Sequence, residues 1–288
     1  MKKIILVMAV VFIACNISAA EKKLKIVVSI IPLYNITKAI VGDDADITVM
    51  VPPGASVHTF EPKPSQVKDL ANADIFIEIG AGLEFWDEKM LKAAGNKKLK
   101  IIRCTDGVKL MQEEGSEKEE HPETGNPHIW LDPILVKDIA VKIYDAVAPA
   151  SKIDDPFYIK YAAFDMQLDA IDKYIRDEVS KFKIKNVVSF HPAWAYFEKR
   201  YGLKEVGVIE ATPGKEPTPK ELGNIINQIK KYNIKAIFAE PQLPRKAADI
   251  IAKEAGVTVL ILDPLGNTGD TYAGFMKKDV DAMKEALK

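Results

Sequence analysis

The chain has 288 residues, 48% hydrophobic and 28% charged, an ordinary globular composition that excludes a disordered, collagenous or low-complexity protein. Lys plus Arg number 40 against 41 Asp plus Glu, a formal net charge of −1, so no basic excess exists to neutralise a phosphate backbone and nucleic-acid binding is not expected. Two cysteines cannot build a disulfide framework, and four histidines are few enough to weigh one by one.

In chain order, the first segment reads as an address. Met1-Lys2-Lys3 precedes an apolar run from Ile4 to Ala14, and Ser18-Ala19-Ala20 supplies small residues for cleavage. A basic start, a short apolar core and a small-x-small ending make a secretory signal over residues 1–20, too short to span a bilayer. Cleavage after Ala20 gives an exported, periplasmic protein. Phe12-Ile13-Ala14-Cys15 also approaches a lipoprotein signal, which gives a membrane-anchored form lipidated at Cys15. Cys104, beside an apolar run, reads as a buried structural thiol.

From Lys23 onward, short apolar runs alternate with amphipathic ones. Strands are expected over Leu24–Ile30, Ile47–Val51, Ile75–Ile79 and Leu99–Cys104, with helices over Pro32–Val41, Pro64–Ala73 and Leu83–Ala94. That order predicts a parallel sheet covered by helices. Gln112 to Asn126 interrupts it with six Glu and one Lys, an acidic surface loop. A helix around Ile134–Val147 follows. Asp155–Phe182 lacks Gly and carries Tyr161, Phe164, Leu168, Ile171 and Ile175 at helical spacing, which predicts one helix roughly 40 Å long. The alternation then resumes. Strands are expected over Asn186–Phe190, Glu205–Ile209, Ala236–Phe238 and Val257–Leu262, and helices over Pro192–Tyr201, Pro219–Tyr232, Arg245–Ala255 and Thr271–Leu287. The predicted class is α/β: an N-terminal lobe over 21–150, a linking helix over 151–182 and a C-terminal lobe over 183–288.

Polar residues with ligating chemistry fall in the loops. His58 follows the second strand, His128 stands in a Pro-bounded turn, His191 ends a strand before Pro192, and Asp263 ends another before Pro264. Open parallel sheets bind ligands beyond the carboxyl ends of their strands, so these side chains are expected to meet in the cleft between lobes. Three imidazoles and a carboxylate are a complete tetrahedral set for Zn²⁺, and serve Mn²⁺ or Fe²⁺ with an added oxygen. The gaps of 70, 63 and 72 residues form no local motif. Spacing alone leaves another reading open, with a His next to Pro capping a helix or bonding a carbonyl and Asp263 opening a turn. Glu61 and Glu240 are expected to orient the imidazoles through their second nitrogens, or to sit on the surface. Trp130, Trp194, Tyr196 and Phe197 read as core or as the floor of the cleft, and Thr218 with Glu221 as a capping box.

The segments VPPGASVHTFEPKPSQVKDLANADIFIEIGAGLE (51–84), NPHIWLDP (126–133), SFHPAWAYFEKRYGL (189–203), EATPGKEPTPKEL (210–222), AEPQLP (239–244) and ILDPLG (261–266) together resemble the zinc and manganese substrate-binding proteins of bacterial ABC transporters, the ZnuA-like and TroA-like family. The resemblance covers nearly all of the chain beyond the signal. It implies two α/β lobes on a rigid helix and one transition metal between them, held by His58, His128, His191 and Asp263. It also implies delivery of that metal to a membrane permease by a monomeric receptor. His at position 191, where many manganese-type members have Glu, favours Zn²⁺ over Mn²⁺ or Fe²⁺. Zinc members often carry a His-rich acidic loop, whereas the loop here has only His121. The alternatives are a surface adhesin, a role some relatives share, and a secreted zinc hydrolase, against which stands the absence of an HExxH signature. No enzymatic activity is expected. Free imidazole chemistry puts the loss of metal affinity below a pH of about 6.5.

Overall fold

The computed structural model describes residues 23–112, 125–148 and 155–288. The signal segment with Cys15 and most of the acidic loop with His121 lie outside the described residues.

The N-terminal half is built on β1 (Leu24–Val28), β2 (Ala45–Val49), β3 (Ile75–Glu78) and β4 (Lys100–Arg103). They form one parallel sheet of order β2-β1-β3-β4, with Ile26 opposite both Ile47 and Ile75. β1 and β3 are central and bury successive residues over Ile26–Val28 and Ile75–Glu78, apolar except for Glu78, as a sheet covered on both sides requires. The crossovers are α1 (Ile31–Val41), α2 (Pro64–Asn72) and α3 (Asp87–Ala94). β1 stops two residues before its expected end, because Pro32 fixes a first helical turn that begins at Ile31. α1 in turn ends at Gly42, whose φ of 62° lets its N–H return to the Lys38 carbonyl at 2.9 Å. α4 (Pro133–Val147) closes this half, and the Asp132 side chain caps it by accepting from the Ile134 N–H at 2.8 Å.

α5 (Pro156–Val179) is the long helix, with 24 residues and a length of about 36 Å. Asp155 caps it, accepting from the Phe157 N–H at 2.9 Å. Phe164, Leu168, Ile171 and Ile175 form its buried stripe. The helix stops three residues short of Phe182, which lies buried in the turn beyond.

In the C-terminal half, β5 (Asn186–Ser189) pairs in parallel with β6 (Lys204–Val208), and β7 (Ala236–Ala239) with β8 (Thr258–Ile261). β5 lies beside β7, and the four strands form two short ladders rather than one continuous sheet. α6 (Ala195–Tyr201), α7 (Pro219–Lys231) and α8 (Lys246–Ala255) cover them. The expected capping box on α7 is present: Thr218 Oγ1 accepts from the Glu221 N–H, and the Glu221 carboxylate accepts from the Thr218 N–H. α9 (Tyr272–Leu287), expected within the C-terminal lobe, packs against α5 and reaches α1.

That packing makes the core continuous. One apolar cluster runs from Ile26 and Phe76 through Trp130 and Leu168 to Phe197, Leu262 and Phe275, and a smaller one fills the C-terminal half around Phe190, Ile225 and Ile237. Cys104 is buried and unpaired, as its setting in the sequence suggested. No described helix is long and apolar enough to cross a membrane.

Candidate metal centre

His191 and Asp263 stand two residues beyond the carboxyl ends of β5 and β8, His58 lies in the loop after β2 and His128 in the turn before α4, and a short 3-10 turn delivers each histidine. His58 lies inside the turn Val57–Thr59, His128 caps the turn Ile129–Leu131, and His191 caps the turn Pro192–Trp194. Two histidines come from the N-terminal half and one from the C-terminal half. His128 and His191 are buried, and His58 is partly so.

Their rings converge. His58 Nε2 lies 3.3 Å from His128 Nε2, and His191 Nε2 lies 3.1 Å from His128 Nε2. Imidazole nitrogens bound at about 2.0–2.1 Å to one tetrahedral zinc sit about 3.3 Å from each other. The observed spacings match that figure. Among the described residues, this trio is the one group of His, Cys, Asp or Glu close enough to share an ion.

The surrounding hydrogen bonds decide which nitrogen carries a lone pair. The Asn126 side-chain oxygen Oδ1 accepts from the His128 backbone N–H at 3.0 Å, which fixes it as an acceptor. The same oxygen lies 2.9 Å from His128 Nδ1, so Nδ1 carries the hydrogen and Nε2 the lone pair. Asn126 is locked in that orientation, because its amide donates to the Pro192 carbonyl at 2.7 Å. His191 Nδ1 lies 2.6 Å from the buried Glu240 carboxylate, which assigns the second lone pair to His191 Nε2. Two lone pairs 3.1 Å apart repel each other. A cation between them removes the repulsion, and the Glu240 charge offsets part of its own. Burial, reinforced by His191, holds the His58 pKa down at about 3, and the same causes hold His128 well below the usual histidine range. The His58 and His128 rings thus stay neutral and able to ligate below the pH of about 6.5 at which free imidazole fails.

Glu240 occupies the orienting position expected of it. Glu61 does not: beyond the 3-10 turn the chain extends, the residue is exposed, and it bonds none of the three histidines among the described residues. Asp263, expected as the fourth ligand, stands outside the trio. Its Oδ1 accepts from Gln242 Nε2 at 2.6 Å and from the Leu265 N–H at 3.1 Å, and its backbone N–H donates to Asp279 at 2.8 Å. Trp130 and Trp194 are core residues; Trp130 also borders the site and donates from its indole to the Pro264 carbonyl at 2.7 Å. Asn126 was missed in the sequence, although an Asn-Pro pair two residues before a ligand is a turn signal. Gln242, another missed wall residue, carries no charge and lies between two prolines, so nothing local marks it.

Parallel α/β halves around one long helix, with three imidazoles converging from both, define a two-lobed metal-binding protein. The chain belongs to the ZnuA family, the periplasmic component A of the zinc-uptake complex, whose profile matches residues 26–286. It is 32% identical over 311 residues to the zinc-binding lipoprotein AdcA of Streptococcus pneumoniae, covering 99% of this chain, and it spans 61% of the length of that relative. It is 28% identical to the high-affinity zinc uptake system protein ZnuA of Bacillus subtilis, covering 92% of this chain and 88% of the relative. Among solved structures, a ZnuA crystal structure superposes with a TM-score of 0.80 at 30% identity, covering 92% of this chain and 99% of the other. The laminin-binding protein Lmb of Streptococcus agalactiae, described as bifunctional with adhesin and metal-transporting activity, gives 0.79 at 28% identity, covering 93% of this chain and 100% of the other.

Proposed function

We propose that the chain is the exported receptor of an ABC transporter, that it captures one Zn²⁺ between its lobes through His58, His128 and His191, and that it passes the ion to a membrane permease for uptake. The single observation that carries this is the meeting of three imidazole nitrogens from both halves at zinc-like spacing. Glu240 and Asn126 orient two of the rings toward the ion. An all-nitrogen trio favours zinc over manganese or iron, which take more oxygen donors. Capture rather than catalysis fits a site walled by protein, since a catalytic zinc keeps a position open for water. The receptor acts as a monomer, held outside the cytoplasm either free or through Cys15. The likeness to Lmb supports a second reading, in which the same molecule also serves as an adhesin.

The test is a calorimetric titration of the metal-stripped chain with Zn²⁺ and Mn²⁺. One tight equivalent of zinc, weaker manganese, and loss of tight zinc binding in His191→Ala are expected. Equal zinc affinity in wild type and variant would remove the proposal.

A further inference from the structure

Resting on that reading, we propose that Gln242 supplies the fourth donor to the captured ion through its Oε1, and that Asp263 is the positioning residue that aims it. Three imidazoles leave a tetrahedral ion one ligand short. The cavity they border is also lined by Glu240, Gln242 and Leu265, and it has room for a single water-sized guest, about 10 Å³. The oxygen-bearing side chains in that wall are Ser56, Glu240 and Gln242, and Glu240 is engaged by His191 Nδ1. Gln242 is different: its Oε1 is buried and accepts no hydrogen bond.

A buried carbonyl oxygen without a partner costs free energy unless something occupies it. The carboxamide is planar, so its oxygen and nitrogen face different ways. Nε2 is anchored on Asp263 Oδ1 at 2.6 Å, outside the histidine trio. That bond commits Nε2 to Asp263 and leaves Oε1 as the free acceptor of a residue in the cavity wall, and Asp263 is itself pinned by the Leu265 N–H and by Asp279 of α9. Asp263 therefore acts on the metal through another side chain. The resulting set is three nitrogens and one neutral oxygen, with the compensating charge one bond away on Glu240. A neutral oxygen keeps the site poor for ions that seek carboxylates and suited to zinc.

The test compares Gln242→Ala and Asp263→Asn in the full chain, with circular dichroism of the metal-free proteins confirming that both fold. Zinc affinity is measured by chelator competition and coordination by the visible spectrum of the Co²⁺-loaded proteins, with azide as a probe of an open position. Gln242→Ala is expected to weaken zinc by at least the about 10- to 100-fold that losing a group one bond further from the metal costs. Its Co²⁺ spectrum is expected to shift on adding azide, while that of wild type does not. Asp263→Asn keeps an oxygen for Gln242 Nε2 and the Leu265 N–H, so affinity within about threefold of wild type and an unchanged spectrum are expected. A larger loss in Asp263→Asn than in Gln242→Ala would make Asp263 the ligand and overturn the proposal. So would a Gln242→Ala protein with wild-type affinity and an azide-silent spectrum. Neither result touches the three-histidine reading, which fails only if wild type itself binds no zinc or His191→Ala binds it equally well.

Discussion

At the scale of residues, the site is a set of imidazoles whose tautomers are imposed from outside. Glu240→Gln removes the charge behind His191 and lets the ring rotate or change tautomer. Zinc affinity is expected to fall by about 10- to 100-fold, measured by chelator competition, and an unchanged affinity would show that the 2.6 Å bond plays no part. Asn126→Ala should act in the same direction through His128. The three histidines were legible in the sequence because imidazole is scarce there and because His58 and His191 follow strands while His128 sits in a Pro-bounded turn. Their partners were less so. For Glu240 and Glu61 the sequence left two placements open, beside an imidazole or on the surface; Glu240 takes the first, 2.6 Å from His191 Nδ1, and Glu61 the second. Gln242 and Asn126 are common polar residues that acquire meaning only when a distant group reaches them.

Elements carry the stability that holds those turns. Leu168 is fully buried on α5, while Met166, two residues away, is 72% exposed. Leu168→Ala is expected to cost about 2–5 kcal/mol in denaturant unfolding, and Met166→Ala to stay within about 0.5 kcal/mol; similar losses for the two would contradict the observed helix face. On α6, Glu198 is buried with its Oε1 unpartnered and with Glu205 nearby, and burial followed by that like charge raises its pKa from 4.5 to about 8. A raised folded-state pKa means that the stability linked to this group is complete below pH 4.5 and is lost as pH climbs through 8. Glu198→Gln is expected to flatten the decline over that window and to be more stable by about 1–2 kcal/mol near its upper end. A variant less stable than wild type there would refute the assignment. The start of α7 was exact in the sequence, because Pro219 and the capping Thr218 act locally, whereas α3, which has no side-chain cap, begins at Asp87, four residues after its expected start at Leu83. The split of the C-terminal sheet into two ladders was not legible there, since pairing between distant strands leaves no local mark.

For the whole molecule, the linking helix is one of several ties. Arg200 of α6 pairs with Asp132 at the start of α4 and with Asp172 of α5. Tyr272 of α9 donates to the Trp130 carbonyl at 2.9 Å, and the Trp130 indole binds the Pro264 carbonyl. With the apolar core running through both halves, wide opening would have to break buried contacts. The radius of gyration from small-angle scattering is therefore expected to be the same, within error, for metal-free and zinc-loaded protein; a change of several ångströms would establish a hinge. The long helix and the two-part alternation were visible in the sequence through periodicity. The return of α9 onto α5 and α1 was not, because an amphipathic stripe does not say which lobe it faces.

Locating the ion decides whether the three imidazoles hold it. Crystals of the zinc-loaded chain, measured on both sides of the zinc absorption edge, are expected to show one anomalous peak about 2.0–2.1 Å from the Nε2 atoms of His58, His128 and His191. A peak bound elsewhere, or none among these three rings, would show that they do not.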